Sequence, residues 1–238
     1  MKPIRRAFLL AAGLGVRLRP LTDTVPKCMA PINGRPLCDY WFALCEAHGI
    51  DEILMNTHHL PELVREYVSR LRRRVRVQLA HEETLLGSAG TVRQNAGFVD
   101  GEDAFLVIYA DNLSNADLSR VMRFHASHGA PATVAAFHAA CPKQCGILEI
   151  DAAGRVLSFI EKPENPQSDL ANAGLYALNV STIDEIPSDK PVVDFGHDVL
   201  PKFVGRMYAT PLECYHLDVG NLEAYEQAQR TCPPDMPQ

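Results

Sequence analysis

Residues 7–20 read Ala7-Phe8-Leu9-Leu10-Ala11-Ala12-Gly13-Leu14-Gly15-Val16-Arg17-Leu18-Arg19-Pro20, an apolar run that stops at two glycines. A short apolar run closed by glycine is the pattern of a strand buried on both faces, and such strands belong to parallel sheets covered by helices. Two glycines one residue apart let the backbone turn tightly, so that several N–H groups can point at one anion. By themselves they leave the meaning open. A Rossmann fingerprint wants a third glycine where Leu18 stands, and a P-loop wants Gly-Lys-Ser/Thr, which is missing.

Downstream of the glycines come Arg17, Pro20, Thr22, Pro26, Lys27, Pro31 and Pro36. Prolines fix the local backbone and remove conformational entropy, which stiffens a loop that has no regular secondary structure. Such a loop can present Arg17 and Lys27 to one polyphosphate, the guanidinium as a planar fork and the ammonium as a point charge. The plain alternative is a stiff surface loop whose cations are solvated.

Working outward, apolar runs alternate with helical patterns. Residues 7–12 read as strand and 36–48 as helix, with Gly49 where a helix stops. Residues 53–55 begin a strand that ends at 56–59, and 61–71 form an amphipathic helix with Leu63, Val64, Tyr67, Val68 and Leu71 on one face. Residues 75–80 are strand-like, 87–96 helical, and 104–109 the most apolar strand, with Asp111 at its carboxyl end. After about residue 140 strands at 146–151, 156–160 and 173–178 follow with little helix between them, around a polar loop at 161–172. A short helix near 196–203, strands at 207–210 and 213–217, a helix at 222–230 and a frayed Pro-rich tail complete the reading. The expected fold is α/β: a Rossmann-like, mixed and mostly parallel sheet flanked by helices. No repeat, coiled coil or linker marks a boundary, so residues 1–238 are expected to form a single domain.

Composition sets the limits. The chain has 238 residues, 47% of them apolar and 22% charged, with a formal net charge of −6. That balance speaks against a nucleic-acid binder, which needs a broad basic surface, but not against a local cationic cleft for an anionic small molecule. The seven cysteines are odd in number and irregular in spacing, which suits reduced thiols in a cytoplasmic protein rather than a disulfide framework. Cys141 and Cys145 lack a second Cys/His pair at zinc-site spacing. Lys2, Arg5 and Arg6 before the first apolar run loosely mimic a secretory signal, but a buried strand entering a functional loop is the better reading. No run reaches the ~20 apolar residues of a membrane span.

The string AAGLGVRLRPLTDTVPKCMAPINGRPL at 11–37 resembles the signature of the sugar-1-phosphate nucleotidyltransferases: Gly-x-Gly-x-Arg, Pro and Thr, Pro-Lys, then Pro. HEETLLGSAGTV at 81–92, YADN at 109–112, FIEKP at 159–163, NAGLYAL at 172–178 and LDVG at 217–220 extend the likeness along nearly the whole chain. The resemblance implies the nucleotide-diphospho-sugar transferase fold, with a nucleotide-binding part at about 1–140 and a sugar-phosphate-binding part at about 141–230. It implies that Arg17 steadies the leaving pyrophosphate and Lys27 neutralises the triphosphate. Ala11, Ala12, Gly13 and Gly15 would line the nucleotide, with Glu82 and Gly87 near it. Asp111 and Asp218 would hold a catalytic Mg²⁺. Lys162 would bind the sugar phosphate and Glu161 the sugar hydroxyls, with Gly146 and Asn172 beside them.

The implied substrates are a nucleoside triphosphate and a sugar 1-phosphate, with no nucleic acid and no membrane as partner; family members often assemble as dimers or larger. Residues 81–90 resemble the corresponding stretch of mannose-1-phosphate guanylyltransferases, which favours GTP, with mannose 1-phosphate or manno-heptose 1-phosphate as acceptor. UTP, dTTP or CTP in the same chemistry remains the alternative, as does a catalytically inactive nucleotide-sugar-binding regulator, although retention of Arg17, Lys27, Asp111, Lys162 and Asp218 argues against the latter. Nothing resembles the C-terminal β-helix of some relatives. Ala110-Asp111 departs from the family's usual Gly-Asp.

Without the resemblance each residue has a plainer meaning. Asp111 would be a turn residue or helix N-cap, and Asp218 turn chemistry before the last helix. His58 and His59 read as strand-end residues at the border of a sugar pocket. The run RLRRR at 70–74 reads as an exposed helix end that complements the helix dipole.

Overall fold

The computed structural model describes residues 2–237. In chain order it contains β1 (Arg6–Leu10), β2 (Pro31–Ile32), β3 (Arg35–Pro36), α1 (Leu37–Ala47), β4 (Glu52–Thr57), α2 (Pro61–Ser69), β5 (Arg76–His81), α3 (Ser88–Gln94), β6 (Ala104–Tyr109) and β7 (Asn112–Ser114). There follow α4 (Leu118–His128), β8 (Ala132–His138), β9 (Gly146–Ile150), β10 (Val156–Glu161), β11 (Leu170–Asn179), α5 (Leu200–Phe203), β12 (Tyr208–Pro211), β13 (His216–Asp218) and α6 (Leu222–Thr231).

Nine strands share one sheet among the described residues, in the order β10-β9-β11-β6-β1-β4-β5, with β8 on β11 and β12 on β8. Pairing is parallel at β1–β4, β4–β5 and β12–β8, and antiparallel at β9–β10, β9–β11 and β8–β11. The mixed sheet flanked by helices is the fold expected from the sequence. β1 is buried in its middle three residues, as a strand covered on both faces must be. No helix among the described residues is long and apolar enough to cross a membrane.

Two compact units interleave along the chain. The first unit comprises Arg5–Leu85, Ile108–Leu118 and the chain from Cys214 onward. Its core includes Phe8, Trp41 and Phe42, all buried. The second comprises Leu86–Val107 and Ser119–Glu213 with the residues before Arg5, around Phe105, Tyr176, Phe195 and Phe203. Each such side chain contributes about 1.5–3 kcal/mol by leaving water.

The structure corrects several local expectations. Helix α2 stops at Ser69, and Leu63 is 39% exposed, so the buried face rests on Val64. Arg73 is not on an exposed helix end: its guanidinium lies 2.8 Å from Asp39 and 3.6 Å from Glu46, against α1. Strand β11 starts at Leu170 and shortens the polar loop, while β13 starts only at His216. The tail is docked rather than frayed, because Met236 is buried with Ile32, Leu37 and Tyr40, and Arg35 donates to the Pro237 carbonyl.

Two elements escape the sequence reading altogether. Helix α4 buries Leu118, Val121 and His125, so a histidine masks the third position of its apolar stripe. That ring is held by Thr133 Oγ1 at 2.9 Å and Asn179 Oδ1 at 3.0 Å, the partners a buried polar group requires. β8 is rich in alanine, a weak strand former.

Segment 86–90 packs tightly on segment 193–198. Gly87 has φ +79°, and a Cβ there would lie 2.8 Å from the Val193 carbonyl carbon and 2.9 Å from its nitrogen. Gly101, at φ +80°, has open space around it. Gly101→Ala is therefore expected to cost only the left-handed backbone term, about 1–2 kcal/mol. Gly87→Ala adds overpacking of about 1–3 kcal/mol to the same term. Urea unfolding of both variants checks this, and equal losses would contradict the close approach at Val193.

Candidate active site

In the first unit the Gly-rich loop is built on the carboxyl ends of β1 and β4. The Ala110 N–H donates to Leu10 O (3.0 Å), bringing the residue before Asp111 to the end of β1. Ala11 N–H donates to Asn56 Oδ1 (2.6 Å), and Asn56 Nδ2 donates to Glu82 Oε1 (2.9 Å). Asn56 and Glu82 are both buried. Glu82 thus accepts from Asn56, which in turn engages the Ala11 amide. His58 Nδ1 lies 2.7 Å from Glu82 O, and His59 Nε2 lies 2.8 Å from Thr22 O. The two histidines thus pin loops of the first unit.

Beyond Ala11 the loop changes character. Among the described residues none accepts from the amides of Ala12, Gly13, Leu14 or Gly15. Four successive N–H groups thus have no protein acceptor, and successive amides of this kind are the groups that can take an anion. Gly15 is required twice over: φ is +65°, and a Cβ would lie 2.8 Å from Thr22 Cγ2 and 3.1 Å from Lys27 Cβ. Gly13 is surrounded by open space. The loop is folded on itself at Gly15 and open at Gly13.

The charged groups converge on this loop. Lys27 is only 8% exposed, and its Nζ lies 2.7 Å from Asp111 Oδ2. Strands β7 and β13 pair Asn112 with Asp218, and Val219 N–H donates to Asp111 O at 2.9 Å. Residues 107 positions apart in sequence are thereby placed side by side. Trp41 Nε1 donates to Asn112 O (2.7 Å) and holds β7 from beneath. A Cβ on Gly220 would lie 3.1 Å from Arg17 Nη2 and 3.0 Å from Asp218 Oδ1, so Arg17 and Asp218 approach the same point. Burial keeps His216 neutral, pushing it down to about 4, although the Asp111 charge opposes this.

Neither aspartate is a helix cap; that part falls to Asn221, whose Oδ1 accepts from Ala224 N–H (2.8 Å). Among the described residues no group of three His, Cys, Asp or Glu is placed to hold a metal. The backbones of Asp111 and Asp218 are neighbours through β7 and β13, and Mg²⁺ takes one or two carboxylates with phosphate oxygens and water completing its octahedron.

In the second unit Glu161, at the end of β10, lies between two glycines. A Cβ on Gly146 would come within 2.6 Å of Glu161 Oε2, and one on Gly196 within 2.7 Å. Burial raises the Glu161 carboxyl above the usual range, and the nearby Asp194 charge adds to this while Lys162 and His197 pull it back. Lys162 has φ +48°, a strained conformation for a side-chain-bearing residue, fixed by its N–H on Cys145 O (3.0 Å). Its exposed Nζ lies 3.9 Å from Glu161 Oε1. Asn172 is half-buried, donating to Tyr176 Oη (2.7 Å) and accepting from Gly174 N–H (2.9 Å) where β11 slips register against β8. Gly87 is committed to Val193.

Sequence reasoning did not single out Asn56, Ser88, Asp194, Gly196 or Gly220. Asn56 carried a usable signal, a polar residue at the carboxyl end of a buried parallel strand. The others depend on contacts between segments far apart in sequence.

A buried carboxylate has a stability consequence. The Glu161 carboxyl is raised in the folded state, so its contribution is fully present below the ordinary glutamate range and is lost as pH rises through the folded value. Glu161→Gln should therefore unfold at higher urea than the parent chain at pH 8, with the difference vanishing near pH 4. A pH-independent difference between the two unfolding midpoints would count against desolvation of this carboxylate.

The family described as "Nucleotidyl transferase" matches residues 6–233. The chain is 34% identical to UTP--glucose-1-phosphate uridylyltransferase of Synechocystis sp., over 94% of this chain and 62% of the relative. It is 31% identical to mannose-1-phosphate guanylyltransferase of Mycobacterium tuberculosis, over 92% of this chain and again 62% of the relative. The chain thus spans less than two thirds of the length of these relatives. The crystal structure of HddC from Yersinia pseudotuberculosis superposes with a TM-score of 0.81 over 97% of this chain and 100% of that one; at 23% identity it speaks for the fold alone. With a match along almost its whole length, the chain belongs to the nucleotidyl transferase family.

Proposed function

We propose that this chain transfers a nucleotidyl group from a nucleoside triphosphate to a sugar 1-phosphate and releases pyrophosphate. The observation that carries the reading is the convergence of Arg17, Lys27, Asp111 and Asp218 on a loop with four unengaged amides. A sugar-phosphate oxygen forms the new bond to the α-phosphorus as the bond to the pyrophosphate oxygen breaks, with the leaving group in line. A phosphate monoester is already an anionic nucleophile, so neither a protein nucleophile nor a general base is needed. Catalysis then rests on positioning and charge neutralisation.

In this scheme the amides of Ala12, Gly13 and Gly15 hold phosphate oxygens, Arg17 steadies the departing pyrophosphate, and Lys27 leaves Asp111 for the triphosphate. Mg²⁺ held by Asp111 and Asp218 would screen the phosphate charge. In the second unit Lys162 takes the sugar phosphate and Glu161 accepts from sugar hydroxyls, with Gly146 and Asn172 beside them. GTP is the preferred donor, supported by residues 81–90 and by the guanylyltransferase relative, and mannose 1-phosphate or manno-heptose 1-phosphate the acceptor. The uridylyltransferase relative supports UTP as a second reading. Free cysteines and the need for nucleoside triphosphates suit a cytoplasmic setting, where a GDP-sugar would feed surface polysaccharide synthesis.

Pyrophosphate release should be measured for five triphosphates crossed with several sugar 1-phosphates, with and without Mg²⁺. Turnover is expected with GTP and a manno-configured acceptor; no turnover in any combination would leave only a binding role. In the active pair Lys162→Ala should raise the sugar-phosphate KM about tenfold or more and change the triphosphate KM within twofold, whereas equal changes would misplace the acceptor site. Asp218→Asn should lose activity about tenfold at limiting Mg²⁺ and recover partly at high Mg²⁺. An unchanged Mg²⁺ dependence would remove Asp218 from the metal site.

A further inference from the structure

Segment 193–198 is clasped to segment 86–90 by a closed set of hydrogen bonds, all within the second unit. Val193 N–H donates to Leu86 O (2.8 Å), and the Ala89 and Gly90 N–H groups donate to Val193 O (2.9 and 3.0 Å). Ser88 Oγ donates to Asp194 Oδ2 (2.7 Å) and accepts from Phe195 N–H (2.8 Å). The other Asp194 oxygen, Oδ1, accepts from Gly196 and His197 N–H (2.8 and 3.2 Å). Asp194 N–H in turn donates to Asp198 Oδ2 (2.9 Å), and Lys190 Nζ lies 2.5 Å from Asp198 Oδ1. Residues Phe195–Val199 form one turn of π-helix, a rare conformation that is retained where a local distortion serves a site.

The product of this clasp is the position of Gly196. Its Cα presses so closely on Glu161 Oε2 that a methyl group would not fit, and Gly146 closes the other side. Glu161 is thus confined by one glycine on its own hairpin and one that Asp194 holds in place. Asp194 reaches Glu161 through the Gly196 backbone and through its charge. It has no part in the substrate contacts proposed above.

We propose that Asp194, locked by Ser88, is a positioning residue that sets the Glu161 carboxylate for the sugar hydroxyls. The proposal rests on the reading of Glu161 as a sugar ligand. The alternative is that the clasp only stabilises the unit, which would alter folding but not acceptor recognition. Two features separate these. A confined carboxylate binds hydroxyls without ordering itself first, so loosening it weakens acceptor use selectively. Among the described residues the charges that act on Glu161 are those of Lys162, Asp194 and His197, so neutralising Asp194 removes a negative neighbour and lets Glu161 ionise at lower pH.

The test uses the full chain with α-D-mannose 1-phosphate and GTP, or the pair that turns over in the substrate cross, and compares Asp194→Asn, Ser88→Ala and Glu161→Gln. Asp194→Asn keeps an acceptor for the Gly196 and His197 amides, and Ser88→Ala keeps the Asp194 charge. Both should raise the sugar-phosphate KM about fivefold or more with the GTP KM within twofold. The acid limb of kcat/KM for sugar phosphate should move to lower pH in Asp194→Asn and stay in place in Ser88→Ala. Ser88→Ala removes only a hydroxyl and keeps the question open to experiment should Asp194→Asn fail to fold. Parent-like sugar-phosphate KM values in both variants, equal changes in both KM values, or an unmoved acid limb in a folded Asp194→Asn would overturn the positioning role. If Glu161→Gln itself leaves the sugar-phosphate KM unchanged, the reading of Glu161 falls first and the positioning role with it. Impaired Glu161→Gln beside parent-like Asp194→Asn and Ser88→Ala would sink the positioning role alone.

Discussion

Lys27 is an ammonium group placed where an ammonium group is costly, 8% exposed and held 2.7 Å from Asp111. Two like unit charges 4 Å apart repel by about 1 kcal/mol in water and about 4 kcal/mol at the effective dielectric of a partly buried site. In the function proposed, joining a triphosphate to a sugar phosphate would bring several such charges together, and cations would have to stand where phosphates arrive. Keeping Lys27 ready without a ligand requires a counter-charge, and Asp111 supplies it. Much of the first unit follows from this pair. Gly15 folds the loop so that Lys27 Cβ lies against it, and β7 with β13 brings Asp218 alongside Asp111.

The second unit solves the opposite problem, holding an anion against burial. Glu161 is confined by Gly146 and Gly196, with Asp194 near enough to oppose its ionisation and Lys162 and His197 near enough to favour it. Lys162 carries left-handed backbone strain beside it, fixed by one hydrogen bond to Cys145. Strain and desolvation both lower stability. Their concentration within two adjacent residues marks a place where the fold gives up stability, and the Ser88–Asp194 clasp is the local structure that holds it there.

The sequence announced its buried strands well, because β1, β4 and β6 are nearly continuous apolar runs, closed by two glycines after β1, by Asn56 and Thr57 in β4 and by Asp111 after β6. It was poorer where side-chain identity hides the period. His125 interrupts the stripe of α4, and alanines weaken the strand signal of β8, although both lie in the core. The tail looked free because prolines prevent regular structure, yet a buried Met236 and the Arg35–Pro237 hydrogen bond dock it. Arg73 looked solvated because Asp39, its partner, is 34 residues away. The order of motifs named Arg17, Lys27, Asp111, Glu161, Lys162 and Asp218, whereas the hydrogen bond from Asn56 to Glu82 and the close approach of Gly87 to Val193 appear only in three dimensions.

By itself the sequence determined which residue types are present, in which order, and where the backbone must turn: two glycines after a buried strand, prolines that stiffen the following loop, and carboxylates just past strands. These follow from local sterics and hydrophobic period, which act over a few residues. Only the tertiary structure decided which groups meet. The Lys27–Asp111 pair spans 84 positions, and the Ser88–Asp194 bond spans 106. Strand pairing and glycine-width approaches between backbones set those meetings, and neither has a signature within the local stretch it joins.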